Sequence, residues 1–269
     1  LVIGNEVETI GEKSFQCCNG LTSIVVPNNV VSIGGWAFES CKGLIRIEIG
    51  DGVIEIGEFC FSFCERLSNL KIGDNVKHIG RNAFDYCKGL SSVIIPNSVT
   101  TIDERAYNHC TSLSSVVIGD GVVDIGTEAF IGCDNLSTLI FGNHVQNIGD
   151  FAFCKCISLH SVVLPNNVLA IGNGAFYGCK EIAAIDLPNN LLKIGWEAFE
   201  GCEKLQNIEI PNSVDSIGGH CFKDCSSLMS VTIGKGIQYI NGNVFEGCGN
   251  LVSATILCPI VGSWFRYSS

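Results

Sequence analysis

The chain has 269 residues and a net charge of −11; 46% of it is hydrophobic and only 16% charged. That balance excludes a disordered chain, which shows few apolar residues and many charges. The acidic charge excludes nucleic acid as a partner, because binding a polyanion takes a basic stripe. No window approaches eighteen consecutive apolar residues, so no membrane span is expected.

The chain opens in mid-repeat, with Leu1, Val2 and Ile3 on the same rows as Ile24, Val25 and Val26. It therefore reads as a fragment of a longer array, with any export signal or N-terminal cap outside it. From Ile10 to Ile240 every twenty-third residue is isoleucine, and from Cys18 to Cys248 every twenty-third is cysteine, both eleven deep. A fixed period in the twenties means one supersecondary unit stacked on copies of itself, a solenoid. Within each copy, apolar residues alternate over a short stretch, as in Leu67, Leu70 and Ile72, which predicts a half-buried strand. Pro or Gly ends that strand in ten of eleven copies, because proline cannot donate to a ladder. Asn or Asp follows in nine copies, and such side chains are expected to bond their own backbone two residues on.

A second apolar segment follows and ends at the invariant isoleucine. Nine glycines, with Asp103 and Asn241, occupy the next position. These residue types tolerate a left-handed backbone, so positive φ is expected there in every copy. The Ala-Phe-x-x-Cys run then packs inward, stacking Phe38, Phe61, Phe84, Tyr107 and Phe130 as an aromatic ladder. One copy buries too little to offset its ordering entropy, so it folds only against neighbours. Residues 257–269 lose the pattern, and Ser263 stands where the isoleucine belongs. The expected division is a solenoid over 1–256 and a degenerate cap or tail over 257–269, with Trp264 and Phe265 folding back.

The unit Leu-x-x-Ile-x-Ile-Pro-x-x-Val-x-x-Ile-Gly-x-x-Ala-Phe-x-x-Cys, clear from Leu90 to Cys110 and from Leu159 to Cys179, resembles the BspA-like class of leucine-rich repeat. The resemblance implies a right-handed superhelix of about eleven 23-residue repeats. A parallel sheet would line its concave face, with a short second strand and turns or 3-10 segments elsewhere. It also implies a surface-exposed or secreted protein of host-associated bacteria or protists, many of which adhere to host matrix or cells. The family pattern carries no catalytic residues.

The cysteine column could suggest disulfides or zinc. Stacked strands keep their Cβ vectors parallel, and no four ligands converge, so small buried core residues are the favoured reading. Cys60 and Cys221 fall on a small inward row, leaving Cys17, Cys154 and Cys258 as candidate exposed thiols. The Asn/Asp column offers too few oxygens per turn for calcium. His78, His109, His144, His160 and His220 lie on five different rows. No nucleophile, base and orienting group come together, so neither enzyme activity nor a metal or cofactor is expected. Trp36, Phe59, Phe151 and Trp196 sit on outward loop rows, either packed on adjacent loops or free for secondary contacts. Asn135-Leu136-Ser137 is a lone glycosylation sequon.

One row of each strand must face solvent: Val25, Glu48, Lys71, Ile94, Val117, Ile140, Val163, Asp186, Glu209, Thr232, Thr255. Four consecutive β-branched residues (Ile94, Val117, Ile140, Val163) are flanked by Glu48 and Lys71 on one side and by Asp186 and Glu209 on the other. Ser92, Ser115, Thr138 and Ser161 border them. This row is either a protein-binding strip or ordinary strand-forming valine and isoleucine. The reading favoured is a non-enzymatic module of a cell-surface or secreted protein, binding a host matrix or cell-surface protein. An intracellular protist scaffold and an inert surface spacer are the alternatives.

Overall fold

The structure is a computed structural model that describes residues 1–240 and 242–259, and it holds no helix among them. The expected cap at Trp264 and Phe265, and the expected positive φ at Asn241, lie outside the described residues. Each coil supplies two strands, all pairing parallel with the same strand one coil away. The short strand, ending at the invariant isoleucine, stacks into one eleven-stranded sheet from Thr9–Ile10 to Tyr239–Ile240. Its register sets Ile10 beside Ile33 and Ile217 beside Ile240, so residues twenty-three apart are neighbours in space.

The longer strand alternates exposed and buried residues, as in Ser92–Ile95 and Asn207–Ile210. Its sheet is divided into four, with breaks between Lys71 and Ser92, Ile140 and Ser161, and Asp186 and Asn207. The coil after each break is one whose strand runs into proline: Pro96, Pro165 or Pro211. Proline lacks the N–H that Gly50 gives to Val26 O (2.9 Å) and Gly234 to Ile210 O (3.0 Å). Pro188 is the exception, since its strand Ala184–Asp186 still pairs with Ser161–Val163.

The Ala-Phe-x-x-Cys run is a chain of turns and contains no 3-10 helix. Two columns of left-handed residues run through it, four residues apart, from Lys13 and Cys17 to Asn243 and Gly247. Amide groups there alternate in direction. Ala37 and Glu39 donate within their own coil, to Gly34 O (3.3 Å) and Trp36 O (3.1 Å), while Trp36, Phe38 and Ser40 donate to Glu58, Cys60 and Ser62 O of the next. The left-handed flips let a turn segment join the inter-coil ladder as a strand does.

Two sequence expectations are corrected here. The glycines after the invariant isoleucine do not have positive φ. They are required by close approach: a Cβ on Gly57 would lie 2.7 Å from Gly34 C, and one on Gly80 2.7 Å from Ile56 O. At Asp103, which does carry a Cβ, the amide stands 3.1 Å from Ile79 O, against 2.8–2.9 Å at Gly126 and Gly80. The Asn/Asp side chains, moreover, do not bond their own backbone. Asn28 Oδ1 accepts from Asp51 N–H (2.9 Å), Asp51 Oδ1 from Asp74 N–H (3.0 Å), and Asn97 Oδ1 from Asp120 N–H (2.9 Å). In-register stacking brings the next coil's amide closer than any local partner.

The aromatic ladder is present from Phe15 to Phe245, with centroids 5.1–5.7 Å apart and planes within 10° of parallel. Beside it runs the cysteine ladder, whose eleven thiols are free. Each thiol from Cys41 onward donates to the carbonyl of the aromatic residue in the coil before, as Cys110 to Phe84 O (3.2 Å) and Cys133 to Tyr107 O (3.3 Å). The thiol therefore fills space and also ties adjacent coils together.

Phe130 is fully buried and Phe245 is not. Phe130→Ala is expected to cost about 3–5 kcal/mol and Phe245→Ala less, as read by urea denaturation; equal losses would contradict nearest-neighbour energetics. Burial also pushes the ladder thiols from Cys41 onward upward, Cys41 and Cys248 to about 11 and Cys87 and Cys110 further, from an ordinary 9.0. Below pH 9 both states keep these protons; above it the unfolded chain loses them and the folded chain does not. Stability should thus be flat below pH 9 and fall as pH rises, by about 1.4 kcal/mol per pH unit per thiol. Urea midpoints between pH 8 and 10.5 test this, and Cys110→Ala should make the decline shallower.

Candidate interaction surfaces

The outward strand row lies where the sequence places it. Ile94 (70%), Ile140 (53%) and Val163 (74%) are largely exposed, while Val93, Val116 and Val162 on the opposite face are buried. Val117 is half-buried. Ile94, Val117 and Ile140 pair in one sheet, and Val163 pairs with Asp186 in the next, so the strip crosses a sheet break. Ser92, Thr138 and Ser161 are exposed beside it and Ser115 is half-buried. At one end Glu48 sits between Arg46 (3.1 Å) and Lys71 (3.2 Å), which hold its carboxyl below the ordinary value. At the other end Asp186 and Glu209 are exposed, with no ion-pair partner among the described residues. The strip is thus bounded by a self-neutralised cluster on one side and open carboxylates on the other.

A second surface was not legible in the sequence. The two left-handed columns flank a trough on the turn side of the coils. Their side chains include Phe59 stacked on Trp36 (5.3 Å), and Phe63, Tyr86 and His109 stacked in series (5.1 and 4.9 Å). Between the columns runs a row that reads as outward but is buried in the middle coils: Ser62, Asp85, Asn108 and Cys154. Asp85 Oδ2 accepts from Asn82 Nδ2 (3.1 Å), but Asp85 Oδ1 has no partner, and neither has Ser62 Oγ. Burial raises the Asp85 carboxyl to about 6, opposed by the Asn82 hydrogen bond and by Arg105. Arg105 itself is committed to Glu128 (2.6 Å) and Arg81 to Glu104 (3.1 Å). A groove of about 440 Å³ opens over this part of the trough.

The burial of this row corrects the thiol assignment. Cys17 is exposed as expected, but Cys154 is turned inward between the left-handed Phe151 and Lys155, and Cys258 packs on the core. Cys60 and Cys221 are fully buried, as their row implies. The loop aromatics mostly pack on neighbouring loops: Trp36 on Phe59, Phe151 over Gly174, and the half-exposed Trp196 over Gly219. Asn135 is exposed, and its Nδ2 donates to Thr111 O (2.8 Å). One set of residues among those described has ligand spacing for a cation: Glu197, Glu200 and His220 lie within 4.8 Å of one another. Lys223 stands 3.3 Å from Glu200, so an ammonium already supplies that carboxylate's counter-charge.

The profile of the BspA type leucine rich repeat region matches residues 1–113, 77–170 and 146–265. The chain belongs to the BspA-type leucine-rich repeat family. A leucine-rich repeat protein of T. pallidum is 27% identical over 68% of this chain and 77% of its own, with a TM-score of 0.52. A leucine-rich cell surface protein of Faecalibacterium prausnitzii is 27% identical, covering 93% and 83% of the two chains at a TM-score of 0.48. A leucine-rich repeat protein from Bacteroides ovatus is 26% identical over 92% and 82%, at 0.47. No curated protein sequence matches the chain significantly. This BspA-type protein is a leucine-rich repeat scaffold, and no helix among its described residues is long and apolar enough to cross a membrane.

Because the folded Asp85 holds its proton up to about pH 6, against an ordinary 3.8, burying it costs nothing in acid and most above pH 6. Asp85→Asn should raise the melting temperature at pH 7 and leave it unchanged at pH 3.5, in parallel thermal melts of the two proteins.

Proposed function

We propose that this protein is a non-enzymatic recognition module of a cell-surface or secreted protein. It binds a host matrix or cell-surface protein through the outward strand row. Ile94, Val117, Ile140 and Val163 form the apolar centre; Glu48, Lys71, Asp186 and Glu209 orient the partner. The observation that carries this reading is the exposure of Ile94, Ile140 and Val163, with Val117 half-buried among them, on the solvent side of successive coils. Exposed apolar area of this kind gains free energy only by being covered. The open carboxylates of Asp186 and Glu209 add a preference for a partner with basic groups beside its apolar contact. Membership of the BspA-type family supports the surface location. Protein binding needs no cofactor, and the geometry of the row offers no nucleophile paired with a base.

Val117→Asp with Ile140→Asp should abolish binding to an immobilised panel of host matrix and cell-surface proteins, measured by surface plasmon resonance. Thermal stability should change little, because Ile140 faces solvent and Val117 is only half-buried. Unchanged binding to every partner in the panel would exclude this row as the interface.

A further inference from the structure

A groove lies on the turn face, away from the strand row. Its floor is Asp85, 5% exposed: Oδ2 accepts from Asn82, the Asn108 amide and the Tyr86 N–H lie close to the carboxylate, and Oδ1 has no donor in hydrogen-bond geometry. Phe59 and Phe63 give apolar edges, Arg105 a donor fork, and Asn108 an amide. The columns that wall the site hold Phe59, Phe63, Tyr86, Arg105 and His109 in left-handed conformation.

The chemistry of the groove restricts its occupant. A free anion would meet the carboxylates of Asp85 and Glu128, and a free cation would meet Arg81 and Arg105. A hydrocarbon would leave the buried Asp85 oxygen still without a donor, which costs free energy. A hydroxyl both donates and accepts, so it satisfies a carboxylate and a guanidinium side by side without adding charge. We propose that this groove binds a neutral saccharide, one of whose hydroxyls donates to Asp85 Oδ1 and accepts from Arg105. The C–H face of the sugar packs on the edges of Phe59 and Phe63. Asp85 Oδ1 is closed to solvent, so binding requires the side chains around it to move.

Saturation-transfer NMR on the whole protein with glucose, galactose, mannose, N-acetylglucosamine and their β-linked disaccharides as probes tests this. At least one probe should bind, and Asp85→Ala and Arg105→Gln should each weaken it at least fivefold. Asp85→Asn serves as the folding control, since it keeps the shape and removes the buried charge. The Val117→Asp, Ile140→Asp protein should bind that sugar unchanged, which separates this site from the strand row. No binding by any probe, or binding indifferent to Asp85 and Arg105, would overturn the proposal. So would a methylammonium or sulfate control that competes for the groove better than the sugars do.

Discussion

The structure depends on one constraint: every residue must be compatible with its own counterpart one coil away. Parallel pairing in register makes positions twenty-three apart into neighbours, and the conserved columns are the side chains that tolerate or exploit that placement. Flat aromatic rings stack on themselves. A thiol can donate to the carbonyl of the coil before. Asn and Asp can hold the amide of the coil after. Like charges cannot stack without cost, and the charged pairs obey the same spacing with alternating sign. Lys71 lies on Glu48, Arg81 on Glu104, Arg105 on Glu128, Lys180 on Glu203, Lys204 on Glu181 and Lys223 on Glu200. Each exposed pair is worth little by itself; their consistent register offsets charge along the stack.

The same constraint explains where the solenoid is stiff and where it is interrupted. Glycine after the invariant isoleucine, and glycine at the strand end, let coils approach until backbone N–H and C=O groups meet. Proline at the strand end removes the donor, and three of the four internal prolines there coincide with a break in the longer-strand sheet. The short-strand sheet and the two core ladders run on through those breaks. The array is one continuous stack on the isoleucine side and a jointed one on the face that carries the apolar strip.

Sequence varies most on the rows that repetition leaves free. The outward strand row varies from coil to coil, from valine to glutamate to lysine to isoleucine, because nothing in the core depends on it. The trough row varies too, but it is buried in the middle coils, so its variation has a structural cost that the strand row does not bear. Asp85 and Ser62 carry that cost as polar atoms without partners.

Much of the fold was legible from period alone. Strand positions, the inward aromatic and cysteine columns, and the outward row around Ile94 and Val117 all follow from alternation within a unit and repetition between units. What only the tertiary structure decided concerns backbone direction and what reaches across coils. Glycine composition suggested a left-handed residue after the isoleucine, but the left-handed positions fall on Lys13, Trp36 and Cys17, residue types that give no such signal. The Asn/Asp column suggested local turns, yet its partners lie in the next coil. Cys154 read as an exposed thiol, yet the left-handed Phe151 and Lys155 on either side turn it in. A one-dimensional pattern specifies which residues become neighbours; it does not specify the dihedral signs that aim each group, because those are settled by the hydrogen bonds of the assembled stack.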